Sequence, residues 1–436
     1  MQKADEHLVQ QAQMVLDFNW NGEYTQPGPH LYPHQWSWDS ALIAIGYAHY
    51  DQDRAMQELS HLFEHQWKNG LLPQIVFNPR FGDYFPGIDF WHAERSPNAP
   101  RDRKTSGVVQ PPLHATAVLY VYRHAEDEAA AKEFLEHTFP KLKAWHEYLH
   151  QERDPEGEGL VYIRHPWESG MDNSPMWDSI MERTQLRSDQ IPKYRRADIH
   201  FVAAGDRPLD AAYDRFAYLV KLFSDRDYDE ARIREECPFL VQDVLFNTLL
   251  CQSDRDLVEI ARILGENPSP LEERAERTES AINGKLWDEQ HGIYLDFDVA
   301  SGLPLQVYVA ANFVPLYAGI PDEGRARSMV DSLENTGFGL SDESIMPVPS
   351  YDRYGFAFFP TRYWRGPVWV NINWFLMRGL ERYGYERQAK RLQNTIVSLC
   401  KEQGFYEYYD PTTGFGHGSD LFSWTAALFL DVTLHE

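Results

Sequence analysis

The strongest constraint in this chain is a repeated contrast between neighbouring helical segments. Residues 39–50 are apolar nearly all round, whereas residues 53–67 set Met56, Leu59, Leu62 and Phe63 on one face with charges opposite. Helical periodicity predicts a buried helix from the first and an outer amphipathic helix from the second. The contrast returns with 111–122 followed by 127–150, and with 368–383 followed by 387–401. Further helical segments fall near 5–17, 209–224, 239–264, 269–288, 307–317, 322–336 and 422–434, about a dozen in all. Period-two runs are scarce. Buried helices alternating with amphipathic ones predict an all-α fold of two concentric layers, an α/α toroid.

No low-complexity linker or shift of composition divides the 436 residues, which predicts a single domain over 1–436. Two stretches lack a helical pattern. Residues 71–109 hold Pro, Gly and aromatics; residues 173–208 hold many charges and few large apolar residues beyond Trp177 and Phe201. Connections of that length in a compact domain are commonly functional loops or lids.

The second stretch directly follows Trp167-Glu168-Ser169-Gly170-Met171-Asp172, and the run ends at Trp177-Asp178. Three carboxylates thus sit among two tryptophans. Aromatic walls exclude water from an acidic side chain and raise its pKa, so that it holds a proton near neutrality. Asp172 is the candidate for that acid. The competing reading is a surface turn whose acids cap the next helix. A distant stretch, Gly404-Phe405-Tyr406-Glu407-Tyr408-Tyr409-Asp410-Pro411 with Phe422-Ser423-Trp424, repeats the theme of one acid enclosed by aromatics. Aromatic residues make up 14% of the chain and cluster in connections, around Tyr32, Trp36 and Trp38, around Tyr84 and Trp91, and around Tyr363, Trp364 and Trp369. Core packing accounts for many of them. Rings interleaved with Asp, Arg, Gln and Gly also suit a sugar, whose C–H faces lie on rings while its hydroxyls take polar partners.

A net charge of −25 argues against nucleic acid and polyanionic substrates, while leaving room for a small anion held by one or two arginines. Cys237, Cys251 and Cys400 have neither paired nor metal-ligand spacing and are expected as buried free thiols. The polar N-terminus has no apolar h-region, and no run of 18 or more apolar residues occurs, so a cytoplasmic protein without a membrane anchor is expected. There is no phosphate loop, HExxH or GxSxG motif and no clear calcium loop. His61 and His65, spaced i, i+4, are expected as ordinary surface rather than metal ligands. Neither cofactor nor metal is anticipated. Carboxylate chemistry remains, and glycoside hydrolysis is its commonest two-acid form.

Four motifs then carry a family resemblance. Trp167 to Trp177 resembles the general-acid segment of glycoside hydrolase family sixty-three and its trehalase relatives, and Trp364-Arg365-Gly366-Pro367-Val368-Trp369-Val370-Asn371-Ile372-Asn373-Trp374 resembles the signature of the same group. Tyr406 to Pro411 with Phe422 to Thr425 resembles its general-base segment, and Trp36-Ser37-Trp38-Asp39 its N-terminal substrate segment. The resemblance implies an (α/α)6 barrel and an inverting glycosidase with Asp172 as acid and Glu407 as base. Within the family the chain is similar to the bacterial and plant hydrolases of glucosylglycerate and mannosylglycerate. Carried over, the sugar subsite comprises Trp36, Trp38, Asp39, Trp167, Gly170, Trp364, Gly366 and Trp369; the glycerate side comprises Tyr32, Tyr84, Gln110, Arg207, Tyr213 and Tyr363. A guanidinium at Arg207 suits a carboxylate.

The scheme expects carboxyls about 6.5–9.5 Å apart, with Asp172 walled by Trp167 and Trp177 and loop 173–208 closing over the substrate. Glu168 is the rival acid; Asp178 is expected to cap a helix and Asp410 to order the turn before Pro411. Two other functions stay open: an α-glucosidase or trehalase-like enzyme of neutral disaccharides, for which Arg207 is dispensable, and a catalytically silent sugar-binding toroid. The partner expected is a small-molecule glycoside, with homo-oligomerisation left open.

Overall fold

The computed structural model describes residues 3–82 and 84–434. The reading of the polar N-terminus falls partly on residues 1 and 2, outside the described residues. Fifteen helices are described, in the order α1 (Lys3–Asn19), α2 (Ser37–Tyr47), α3 (Gln52–Glu64), α4 (Ile88–Trp91), α5 (His114–Arg123), α6 (Glu128–Glu152), α7 (Asp178–Arg183) and α8 (Asp210–Asp225). There follow α9 (Glu230–Glu236), α10 (Val244–Leu264), α11 (Ser269–Ala281), α12 (Glu323–Asn335), α13 (Val370–Arg382), α14 (Glu386–Gln403) and α15 (Ser423–Leu434), with a 3-10 helix at Ala310–Leu316.

Six of these elements close a ring. α2 packs on α5, α5 on α10, α10 on the 3-10 helix, that helix on α13, α13 on α15, and α15 returns to α2. Around them α3, α6, α11 and α14 lie against the inner helices that precede them, and α1 against α15. The result is an (α/α)6 barrel: the two layers are those the buried and amphipathic alternation predicts, and the sixfold closure is what the family resemblance implies. Every residue of α2 is buried, whereas α3 buries one face, with Leu59, Leu62 and the carboxylate Glu58, and leaves Asp53 and Glu64 exposed. Each such leucine stabilises the layer contact by about 1.5–3 kcal/mol. Closure needs a glycine: a Cβ on Gly46 would lie 2.5 Å from the Ala427 Cα, so α2 and α15 approach nearer than any side chain permits.

Helix ends differ from the periodic reading where local chemistry intervenes. The segment at 239–264 begins its helix only at Val244, because Val241–Gln242 pairs as strand with Phe297–Asp298 and Asp243 caps α10 through Phe246 N at 2.5 Å. The segment at 269–288 leaves the α-helix after Ala281, passes through a π turn containing Asn283 and Gly284, and ends in a hairpin of Trp287–Asp288 with Ile293–Tyr294. At 307–317 the helix is 3-10: Pro315 has no N–H to give, and Asn312 Oδ1 takes the Val309 N–H at 2.7 Å. Helix α9, at 7 residues, is too short to show a helical period. His61 and His65, expected at the surface, are buried, with their Nδ1 atoms bonded to Gln35 Oε1 (2.6 Å) and to the His61 carbonyl (2.7 Å). The three cysteines are free and buried, as expected.

The two long connections are not structureless. Residues 71–109 contain α4 and a strand, Ile75–Val76, paired with Gln35–Trp36. Residues 173–208 contain α7 and several 3-10 turns. Tyr84 and Phe85 from the first and Arg207 from the second line one cavity with Trp36 and Trp38 at the start of α2. No helix among the described residues is long and apolar enough to cross a membrane.

Candidate active site

The start of α2 supplies one wall of a cavity. Trp36 pairs with Ile75, which fixes the entry to α2, and Trp38 and Asp39 follow in its first turn. Gln110 Oε1 accepts the Trp38 N–H at 3.2 Å. The facing wall comes from the turn at Pro166–Ser169. His165 caps it by accepting the Trp167 N–H at 3.0 Å and stacks on the Trp167 ring at 4.3 Å. Gly170 then reverses the chain with φ +73°, and a Cβ there would stand 2.6 Å from the Trp38 ring. Only glycine meets both demands, and the turn it makes delivers Asp172 to the cavity.

The third wall holds Glu407, buried just ahead of the hairpin Tyr408–Tyr409 with Gly416–His417. Tyr32 donates its hydroxyl to Oε1 at 2.7 Å, and the Ser419 N–H binds Oε2 at 3.0 Å. The fourth wall carries a cation. Arg207 Nη1 donates to the Tyr32 hydroxyl at 3.3 Å, and its guanidinium lies over the Tyr363 ring, 4.1 Å from the centroid.

Burial and neighbouring charges act differently on the four carboxyls. Burial pushes Asp172 up to about 7, with Arg207 pulling down and Glu407 adding to the rise. Burial also raises Glu407, against the opposing pull of Arg207, Tyr32 and Ser419. Asp39 is held well above the ordinary carboxylate value, first by burial and further by Glu407 and Glu58. Glu168 is the contrary case: burial alone would raise it, but Arg153 and Arg164 hold it below the ordinary range. It takes two N–H bonds from Arg153 at 2.9 Å each and backbone N–H bonds from Arg164 and Val109. The rival acid is thereby a structural ion and cannot keep a proton near neutrality.

Thirteen of the sixteen residues singled out from the sequence line this one cavity: Tyr32, Trp36, Trp38, Asp39, Tyr84, Gln110, Trp167, Gly170, Asp172, Arg207, Tyr213, Tyr363 and Glu407. Trp364, Gly366 and Trp369 do not. The two tryptophans stack on each other at 3.7 Å, and Trp369 backs Tyr363 and Trp424, which do face the cavity. Gly366 serves the backbone, since a Cβ would lie 2.6 Å from the Phe359 carbonyl oxygen. Trp177 is also displaced from its expected place: its indole donates to the Met171 carbonyl at 3.0 Å and its ring abuts Phe239. Asp178 opens α7 without a side-chain cap and instead pairs with Arg365. Asp410 does order its turn, accepting from Thr412 N (2.7 Å) and Thr413 N (3.2 Å).

The cavity also takes in Gln74, Ile75, Phe85, Pro86, Phe422 and Trp424. Trp424 sets its edge on Trp38 at 5.3 Å and lies within the motif already noted, so its aromatic neighbourhood was the available signal. Gln74 and Ile75 carry no such signal; they arrive through the strand pairing with Trp36. Among the described residues no group of three or more His, Cys, Asp or Glu side chains is arranged to hold a metal.

A paired-carboxyl cavity of this make-up on this barrel has known counterparts. Residues 32–425 match the mannosylglycerate hydrolase MGH1-like glycoside hydrolase domain. The chain belongs to that family. A mannosylglycerate hydrolase of Rubrobacter radiotolerans is 66% identical over 98% of this chain and 97% of its own length. A glucosylglycerate hydrolase of Mycolicibacterium hassiacum is 36% identical over 97% of each. The crystal structure of the family sixty-three mannosylglycerate hydrolase from Thermus thermophilus, in complex with Tris and D-glycerate, superposes with a TM-score of 0.91 at 43% identity, covering 97% of this chain and 99% of that one. The chain is accordingly a glycosidase of the (α/α)6 type.

Proposed function

We propose that the enzyme hydrolyses an α-glycoside of glycerate, mannosylglycerate ahead of glucosylglycerate, with inversion at the anomeric carbon. The observation that carries the substrate class is Arg207. In a chain of net charge −25, a buried guanidinium faces a cavity that also holds three carboxyls. Its bonds to the protein use Nε and Nη1, and among the described residues Nη2 has no protein partner. An anionic aglycone complements it. The greater identity to the mannosylglycerate relative favours mannose over glucose.

In this reading Asp172, protonated by virtue of its raised pKa, gives its proton to the glycosidic oxygen as the bond to the anomeric carbon breaks. A water held by Glu407 adds from the opposite face, and Glu407 takes its proton. Asp39 accepts a sugar hydroxyl, a contact able to tighten as the ring flattens. The whole chain acts as one catalytic domain, with 71–109 and 173–208 as loops over the site. Cytoplasmic action is part of the proposal, supported by three buried free thiols.

The test compares kcat/KM for mannosylglycerate and glucosylglycerate with the same sugars on glycerol, for wild type and Arg207→Ala. The proposal expects a preference for the anionic aglycone of roughly ten- to a hundredfold that disappears in the variant. Turnover of trehalose or kojibiose alone, indifferent to Arg207, would transfer the enzyme to the neutral disaccharides.

A further inference from the structure

Arg207 and Tyr213 reach the cavity from different elements, the end of loop 173–208 and α8, and the same carboxylate holds both. Asp198 Oδ2 accepts the Arg207 Nε–H at 3.1 Å and the Tyr213 hydroxyl at 3.1 Å. The same residue is gripped from behind by Arg196, through Nε on Oδ1 (3.0 Å) and Nη2 on Oδ2 (2.7 Å). Arg196 in turn bonds the Pro208 carbonyl (2.7 Å) and Asp210 (2.9 Å) and lies over the Tyr213 ring at 3.9 Å. Asp198 does not line the catalytic cavity; it lines a smaller one just outside, shared with Tyr32, Arg207 and Tyr213. Neither its spacing nor its neighbours in the sequence mark it.

We infer that Asp198 is a specificity-determining positioning residue, which fixes Arg207 and Tyr213 relative to each other so that the free edge of the guanidinium meets an anionic aglycone. The inference rests on the reading of Arg207 given above. Two arginines share one carboxylate, so Arg207 keeps part of its charge for a ligand while its direction is set by the Nε bond. A carboxylate has two acceptor oxygens and a charge; an amide keeps one acceptor, has no charge, and in either orientation sets an N–H against a donor that now meets Asp198. Asp198→Asn therefore weakens the anchor that both guanidiniums share and loosens the direction of Arg207 without changing the volume of the site.

The experiment is a cycle of Asp198→Asn, Arg207→Ala and the double variant, with kcat and KM measured on glycerate glycoside and on the glycerol glycoside of the same sugar. The readout is the ratio of the two kcat/KM values. Asp198→Asn is expected to lower that ratio roughly ten- to a hundredfold, chiefly through KM of the anionic substrate. In the Arg207→Ala background it is expected to lower it no further. Damage to the fold moves both substrates together and leaves the ratio where it was, so an unmoved ratio, or additive losses in the double variant, would overturn the role of Asp198. Should Asp198→Asn fail to fold, Arg196→Lys breaks the paired bonds behind Asp198 at a residue that lines neither cavity; it is expected to lower the ratio several-fold, and an unchanged ratio would count against the inference. A wild type without preference for the anionic glycoside would overturn the functional reading itself.

Discussion

Replacing Tyr32 with Phe deletes a single oxygen that serves two partners. In the wild type that hydroxyl donates to Glu407 Oε1 at 2.7 Å and accepts from Arg207 at 3.3 Å. A hydrogen bond to a carboxylate contributes about 1.5–3 kcal/mol, and one pKa unit corresponds to about 1.36 kcal/mol. Losing this bond disfavours the charged form of Glu407 and so raises its pKa further, on top of the rise that burial already imposes. The base must be ionised to accept a proton from water, so activity falls as pH drops through its pKa. Asp172 must be protonated, so activity falls as pH rises through about 7. Tyr32→Phe therefore moves the acid limb of the kcat/KM profile toward the alkaline limb, and the narrowed bell loses height. The assay is kcat/KM for glycerate glycoside between about pH 4 and 9. An acid limb that stays in place, or moves to lower pH, would refute the claim that this hydroxyl holds the base ionised.

Two further substitutions probe the frame around the pair. Gly170→Ala puts a Cβ within 2.6 Å of Trp38 at a φ of +73°; a left-handed residue costs about 1–2 kcal/mol before any clash, and both slower turnover and a lower melting temperature are expected, so wild-type values of both would contradict the turn's role. Glu168→Gln leaves Arg153 and Arg164 buried beside a neutral amide and is expected to cost about 3–5 kcal/mol in urea titrations at neutral pH. Because the folded-state pKa of Glu168 is depressed, its contribution is present above the unfolded carboxylate pKa and is lost as pH falls through the folded value. The gap between wild type and variant should therefore close in acid, and a gap independent of pH would remove the ion pair from the account.

The architecture was legible because its cause is local. Leu59 and Leu62 on one face of α3, beside an α2 with no polar face, state the two layers without any knowledge of contacts. The aromatic and acidic runs likewise announced Asp172 and Glu407, since enclosing a carboxyl in rings is visible in the order of residues. What escaped depends on partners far along the chain. Trp364 and Trp369 share a motif with residues of the cavity, yet a motif records membership and not depth, and the two rings stack on each other behind Tyr363. Trp177 and Asp178 were misassigned because Phe239 and Arg365 compete for them across long separations. Asp198 sits in a run of charges where nothing distinguishes a hub from a solvated side chain. Its meaning appears only when Arg196, Arg207 and Tyr213 converge on it.

The central claim is that Asp172 and Glu407 act as acid and base on opposite faces of a glycerate glycoside. The most direct test follows the anomeric proton signals by NMR from the first minutes after enzyme meets α-mannosylglycerate, with α-glucosylglycerate alongside. The account predicts release of glycerate with the β-sugar appearing first and the α-anomer growing later by mutarotation. An initial burst of α-sugar would mean retention through a covalent intermediate and would contradict the assignment of Glu407 as the base that activates water.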